Sequence, residues 1–298
     1  MKLVRSRTIG SSVSTAALYA AMACIALLSL APIWYTTAIS FSDKAAAAAG
    51  SVTFWPQDFN LVSYATILGD PTFLGAFWIS VKRVLLGGAI NFVITVLMAY
   101  PLSKENREFR FRSAYMWLLV FTMLFSGGTI PLYIVVKELG LFNSIWSLVL
   151  PSAVPVFNIM LLLNFFRSIP KELNEAAEID GAGPWYMLLK VYLPLSLPAL
   201  ATVTLFSVVN HWNAFFDGMI YMRSVDNYPL QTYIQQLVVQ VNMQDISGDP
   251  NKLDLIAKMS NKTLNAAKIV ISMLPILAIY PFLQKYFIHG IMLGSVKE

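Results

Sequence analysis

Six segments of this chain, residues 15–39, 77–101, 113–136, 145–166, 199–221 and 267–288, are apolar over lengths that let an α-helix cross about 30 Å of hydrocarbon. In 298 residues that leaves room for connecting loops and for no large soluble domain. The composition agrees. Hydrophobic residues make up 57% and charged residues 12%, with a mean hydropathy of +0.63, far from the roughly one-quarter charged usage of soluble domains. The expected fold class is an all-α integral membrane protein with six transmembrane helices embedded in the lipid bilayer.

The single Cys24 lies in an apolar run and excludes a disulfide framework and a paired-cysteine metal or redox site. The net charge of +5 is explained by loops beside spans, so nucleic acid is not an expected partner. Six crossings put both termini on one side. Lys2, Arg5, Arg7, Lys104, Arg107, Arg110, Arg112, Arg167, Lys171, Lys190, Lys285 and Lys297, twelve of the 21 basic residues, fall on that side. Lys44, Lys137, Arg223, Lys252, Lys258 and Lys262 are spread over the longer opposite loops, so the termini are expected to be cytoplasmic. The basic start and apolar run of the first segment also fit a secretory signal. Its length and its ending in Pro32-Ile33-Trp34-Tyr35, without a small-residue cleavage site, favour a first span.

Residues 40–76 and 222–264 form two long outer loops. The first carries an alanine run, Ala45 to Ala49, and a Trp55-Pro56 turn; the second carries a turn-rich stretch from Asp245 to Asp254. Asn261-Lys262-Thr263 matches a glycosylation sequon, to which no function is attached.

The loop at 167–198 is built differently. Ser168 is expected to cap a helix with Pro170 and Glu172 in its first turn, running to about Asp180. Leu173, Ala176, Ala177 and Asp180 share one face, and Glu175 and Glu178 stand on another. Gly181 and Gly183 break the helix, with a left-handed residue expected at Gly181. Pro184 restarts a second helix, in which Trp185, Leu188, Leu189 and Tyr192 recur at helical spacing. Leu193-Pro194 and Pro198 then lead into the fifth span. Amphipathicity alone leaves two readings open: a docking element for a soluble partner, or a loop lying on the membrane surface.

Glu175-Ala176-Ala177, then three residues, Gly181, nine residues, Val191, one residue and Leu193-Pro194 resembles the EAA signature of ABC importer permeases, with Val in place of the usual Ile. The C-terminal run from Lys285 through His289, Gly290 and Ile291 to Lys297 is similar to the ending of carbohydrate importer permeases of the maltose transporter type. Ser260 to Lys268 resembles the oligosaccharide branch that includes alginate-oligosaccharide importers. The resemblance covers nearly the whole chain, implying one permease domain over 1–298.

That resemblance implies a permease subunit, not an enzyme, of an ATP-driven importer for carbohydrate, an oligosaccharide above all, in a bacterial inner membrane. Its implied partners are a homologous second permease, two copies of a cytoplasmic ABC ATPase and an extracytoplasmic solute-binding protein. Glu175, Ala176, Ala177, Asp180, Gly181, Gly183, Leu193 and Pro194 become the ATPase-coupling residues, with Glu175 making the contact and Gly181 the bend. No cofactor is expected on this chain, since it has no G-x-x-x-x-G-K-[ST] run to cradle phosphate, and ATP and Mg belong to the partner ATPase.

For the substrate path, Ser207, Asn210, Asn213 and Asp217 are expected within about 120° of one helical face, with Trp212 adjacent. Polar residues in spans face protein or water, so this stripe either lines the path or hydrogen-bonds a neighbouring helix. Asn91 and Thr95 pose the same choice, and His211 reads as a hydrogen-bonded interior histidine with no second metal ligand nearby. Arg223 reads either as an aid to an anionic substrate or as a headgroup anchor. The alternative function is an ion-coupled secondary transporter of small polar solutes, which would need membrane carboxylates or broken helices. The six segments hold almost no carboxylate besides Asp217.

Overall fold

A computed structural model describes residues 9–239 and 262–295. Lys2, Arg5, Arg7, the 245–254 turn, Lys252, Lys258, Ser260, Asn261 and Lys297 lie outside the described residues. Among the described residues all regular structure is helical. Three helices among the described residues are long and apolar enough to cross a membrane, and three bent helix pairs there bring the count to six if each pair is one span.

Residues 9–69, with 237–239 and 262–271, belong to one compact unit. Its main element is α1 (Ile9–Ser40), whose apolar length from Ser14 to Tyr35 is exposed. The loop that follows is ordered by local bonds. Asp43 caps the alanine-run helix Lys44–Ala49, Trp34 Nε1 donates to the Phe54 carbonyl at 2.7 Å, and the Trp34 ring meets Trp55 edge-on. Ser40 Oγ lies 2.8 Å from the Tyr64 hydroxyl, and Ser63 donates to Thr263 at 3.2 Å at the start of the last helix.

Residues 70–236 and 272–295 belong to the second unit. Asp70 starts α2 (Pro71–Ser103) by accepting from the Thr72 and Phe73 amides, and Pro71 occupies the first position, where its missing N–H costs nothing. This helix is the centre of the unit, packing on α6 (Val156–Arg167) and α8 (Leu197–Asn213). Lipid supplies no hydrophobic drive between helices, so close contact rests on small and well-fitted side chains. Ala99, Ile159, Leu162 and Leu163 are fully buried between them. Gly87 admits the His211 ring where a Cβ would come within 2.4 Å of it.

Three of the expected spans are broken. The 113–136 segment is α3 (Arg112–Leu124) and α4 (Thr129–Glu138), bent by 111° through extended Phe125 and the Gly127-Gly128 pair. The 145–166 segment is α5 (Ile145–Val149), a 3-10 turn containing Pro151, and α6 after Pro155, bent by 46°. The 199–221 segment stops at Asn213. Ala214 is extended and the chain resumes as α9 (Phe216–Tyr221). Two elements complete the unit: α10 (Leu230–Val239), up to Gln236, and α11 (Lys262–Ser295), whose last part lies here. Tyr233 donates to Asp70 at 3.2 Å; burial, with the Asp70 carboxylate, raises this hydroxyl's pKa. Ser80 accepts from the Leu230 amide at 2.7 Å, so α10 is tied to the first part of α2.

Candidate functional site

The loop between α6 and α8 carries most of the candidate residues. Its first helix, α7, is Lys171–Ile179. Ser168 does not cap it: Pro170 holds that position, and Ser168 turns back to donate to the Phe165 carbonyl at the end of α6. Glu172 sits in the first turn, where the helix dipole favours a carboxylate. The end is built as expected. Asp180 follows the last helical residue, Gly181 adopts φ +80°, its amide donates to the Glu178 carbonyl, and the Ala182 amide reaches back to Ala177. These two bonds form a Schellman cap, which a left-handed residue makes possible. Gly183 is not left-handed, with φ −74°, and leads in extended form into Pro184.

After Pro184–Tyr186 the chain widens into a π-turn, Met187–Tyr192. The extra residue per turn shifts the register expected from the sequence. Met187, Leu188 and Tyr192 are buried, whereas Trp185 and Leu189 are exposed. Leu193-Pro194-Leu195 follows, and at Ser196 the axis bends by 84° into α8. The loop therefore has an anchored and a free side. Ala177, Ala182, Val191 and Leu193 pack on the core, while Glu175, Ala176, Glu178 and Ile179, the last 86% exposed, project outward with Trp185, Tyr186 and Leu189.

A cavity of about 660 Å³ lies beside α7, open along the side that carries Glu175 and Glu178. Its wall joins Glu175, Glu178 and Tyr192 of the loop to Ser103, Lys104, Glu105, Glu108 and Arg112 beyond α2. Lys171 and Glu105 pair across it at the surface; their mutual hydrogen bond lowers the Glu105 pKa and raises that of Lys171. Lys104 lies 3.6 Å from Glu108. Burial works against its charge, but Tyr192, Tyr100 and Glu108 outweigh it, so its pKa stands above the ordinary lysine value.

The second polar region lies within the spans, and its centre was not singled out from the sequence. Arg83, in the middle of α2, is 2% exposed. Its guanidinium clasps the Asp217 carboxylate, donates to the Ala214 carbonyl at 3.1 Å and lies 3.4 Å from the Leu148 carbonyl. One fork thus serves carbonyls exposed at two helix breaks and a carboxylate next to one of them, the multiple donation for which arginine is suited. The available signal was the Lys82-Arg83 pair inside an otherwise apolar segment, since charges at that depth are costly and need partners.

The expected polar stripe is not one helical face, because the chain breaks at Ala214 and places Asp217 on α9. Ser207 is buried and accepts from Asn158 Nδ2 at 3.1 Å. Trp212 is buried and donates to the Ser272 carbonyl at 3.0 Å. Asn210 and Asn213 are exposed. Asn91 donates to the Ser152 carbonyl at 2.8 Å, and its side-chain oxygen lies 2.7 Å from His211 Nε2. Because that oxygen can only accept, Nε2 carries the proton and Nδ1 is left buried without a partner. Thr95 is also buried. Arg223 is exposed, with its guanidinium carbon 4.9 Å from the Phe142 ring centroid. Among the described residues no three His, Cys, Asp or Glu side chains form a metal cluster.

Residues 71–247 match the family described as "Binding-protein-dependent transport system inner membrane component". The chain is 39% identical to Protein LplC of Bacillus subtilis over 273 residues, covering 92% of this chain and 91% of that protein. It is 37% identical over 280 residues to the B. subtilis polygalacturonan/rhamnogalacturonan transport system permease protein YtcP, covering 94% and 96%. Among solved structures it superposes with TM-score 0.83 and 31% identity on a chain of a bacterial ABC transporter involved in the import of the acidic polysaccharide alginate, covering 94% of this chain and 99% of that one.

Proposed function

Because this chain belongs to the family of binding-protein-dependent transport system inner membrane components, we propose that it is the permease subunit of an ATP-driven importer of oligosaccharide. The observation that carries this reading is the coupling loop. It is packed into the span core on one side and presents a projecting rim of Glu175, Glu178, Ile179, Trp185 and Leu189 on the other. A rim of that kind suits a groove on a soluble ATPase. Carboxylates can take charge-assisted hydrogen bonds there, and the apolar side chains can fill pockets. The Gly181 cap and the π-turn set the loop's shape, and Leu193-Pro194 joins it to α8.

In this reading two ATPase copies bind ATP and Mg and close on one another. Their closure moves this loop and that of a homologous second permease, opening the cavity alternately to the binding protein and to the cytoplasm. Both termini and the 167–198 loop are then cytoplasmic, and the 40–76 and 222–264 loops face the binding protein. Asn210 and Asn213, exposed on α8, are the candidates to meet sugar hydroxyls, whereas Ser207, Trp212 and Asp217 support the helices.

The substrate proposed is an acidic oligosaccharide. One relative is named for polygalacturonan/rhamnogalacturonan transport, and the similar structure belongs to an importer of an acidic polysaccharide. Arg223 is exposed, and on the outer side that this reading assigns it would meet an anion. Broken helices are also found in ion-coupled carriers, but Asp217, the carboxylate such a mechanism would use, is engaged by Arg83.

The test is to tag this chain, extract it gently from membranes that express its native neighbours, and identify what copurifies. A stoichiometric P-loop ATPase and a second permease are expected. A chain that purifies alone and transports without ATP would overturn the reading.

A further inference from the structure

We propose that Lys104 is a positioning residue for energy coupling, tying the coupling loop to the cytoplasmic end of α2. This deepens the importer reading and rests on it. Lys104 terminates α2, its amide donating to the Pro101 carbonyl. Its ammonium lies 5.3 Å from the Tyr100 ring centroid on α2 and 5.2 Å from the Tyr192 centroid in the π-turn. A cation over two ring faces is drawn to both by their quadrupoles, and more strongly where water is thinned. The Lys104 side chain is 15% exposed, and Glu108 stands beside it.

The two rings also touch each other and a third. Tyr100 meets Tyr192 edge-on at 5.0 Å, and Tyr192 meets Phe166 of α6 edge-on at 5.2 Å. Tyr192 is therefore the point where the loop is joined to two spans. Its location matters, because it closes the π-turn four residues before the 84° bend into α8. π-turns recur at functional positions, where the wider helix is less uniformly held.

The 660 Å³ cavity lies between α7 and the residues that end and follow α2, while Ala99 and Leu102 of α2 share an apolar core with Met187, Leu188 and Tyr192 of the loop. The other polar link across it, Lys171 to Glu105, is at the exposed surface, where ion pairs contribute little and are screened by salt. Displacement of α7 by an ATPase thus reaches α2 through the shared apolar core and, as its polar link, through Tyr192, Tyr100 and the ammonium between them.

The test uses the complete complex in proteoliposomes with its binding protein, measuring uptake of radiolabelled trigalacturonate per ATP hydrolysed. Lys104→Met keeps the side-chain length and removes the charge; Lys104→Arg restores a cation. With Lys104→Met the complex assembles and hydrolyses ATP, and uptake per ATP falls by roughly threefold to tenfold, within the range a cation–π contact spans. Lys104→Arg returns the ratio to near the parent value. A Lys104→Met complex with the parental ratio, one that fails to assemble, or an Arg variant that does not rescue overturns the proposal. A parental complex without ATP-driven uptake of any sugar instead fails the importer reading, so the two outcomes are distinct.

Discussion

Arg83 and Asp217, 134 residues apart in the chain, form an ion pair beside the Ala214 carbonyl, joining the middle of α2 to the break between α8 and α9. Arg83 is nearly inaccessible and Asp217 about a quarter exposed. Removing one partner from such a pair strands a charge, which typically costs about 3–5 kcal/mol when buried. Arg83→Leu and Asp217→Leu are each expected to lower the thermal midpoint of the purified complex sharply. The double variant, with neither charge stranded, is expected to recover part of the loss, and a thermal-shift series on the three variants checks this.

Gly87 and His211 make a second close relationship between α2 and α8. A methyl group at Gly87 meets the imidazole within 2.4 Å, and overpacking of this kind costs about 1–3 kcal/mol. Gly87→Ala is expected to reduce stable membrane yield, and Gly87→Ala with His211→Ala to recover it. Fluorescence-detected size exclusion of the four variants measures the effect.

At the coupling loop, Gly181→Val places a β-branched residue at φ +80°, a strain of about 1–2 kcal/mol for non-glycine residues. Glu175→Ala removes a projecting carboxylate. Both variants are expected to insert normally and to copurify with less ATPase than the parent. Quantifying ATPase per permease in pull-downs checks this, and equal recovery would remove Glu175 and Gly181 from the docking surface.

The exposed and the buried asparagines separate transport from packing. Asn213→Leu is expected to change the half-saturating sugar concentration at least severalfold with normal assembly, since its side chain is exposed. Asn158→Leu breaks the bonds to Ser207 and Val203 and is expected to impair assembly first, by about 1–2 kcal/mol of lost hydrogen bonding. Uptake kinetics and yield, measured together on both variants, distinguish them.

The helical membrane class and the helix–Gly181–helix shape of the 167–198 loop were legible because they depend on local sequence. Composition and apolar length mark a span, and the spacing from Glu175 to Pro194 carries its own turn chemistry in Gly181. The helix breaks were less legible. Gly127-Gly128 and Pro151 with Pro155 do signal two of them, but an apolar window averages over such residues. The break after Asn213 has no glycine or proline within it. It is stabilised from a distance by Arg83 donating to Ala214 and Thr232 donating to Phe215, contacts that local sequence does not contain. For the same reason the continuous face expected for Ser207 and Asp217 does not form in the folded chain. The π-turn was also hidden, since its buried Met187 follows from tertiary packing, not from helical periodicity.

The most direct measurement of the central claim is uptake of radiolabelled trigalacturonate into proteoliposomes that contain this permease with its copurified permease and ATPase partners, with the binding protein outside and ATP inside. Accumulation that requires hydrolysable ATP and the binding protein, and that is lost when Glu175→Ala and Gly181→Val are combined, is the result predicted. Accumulation that proceeds without ATP and collapses with the ion gradient would contradict it.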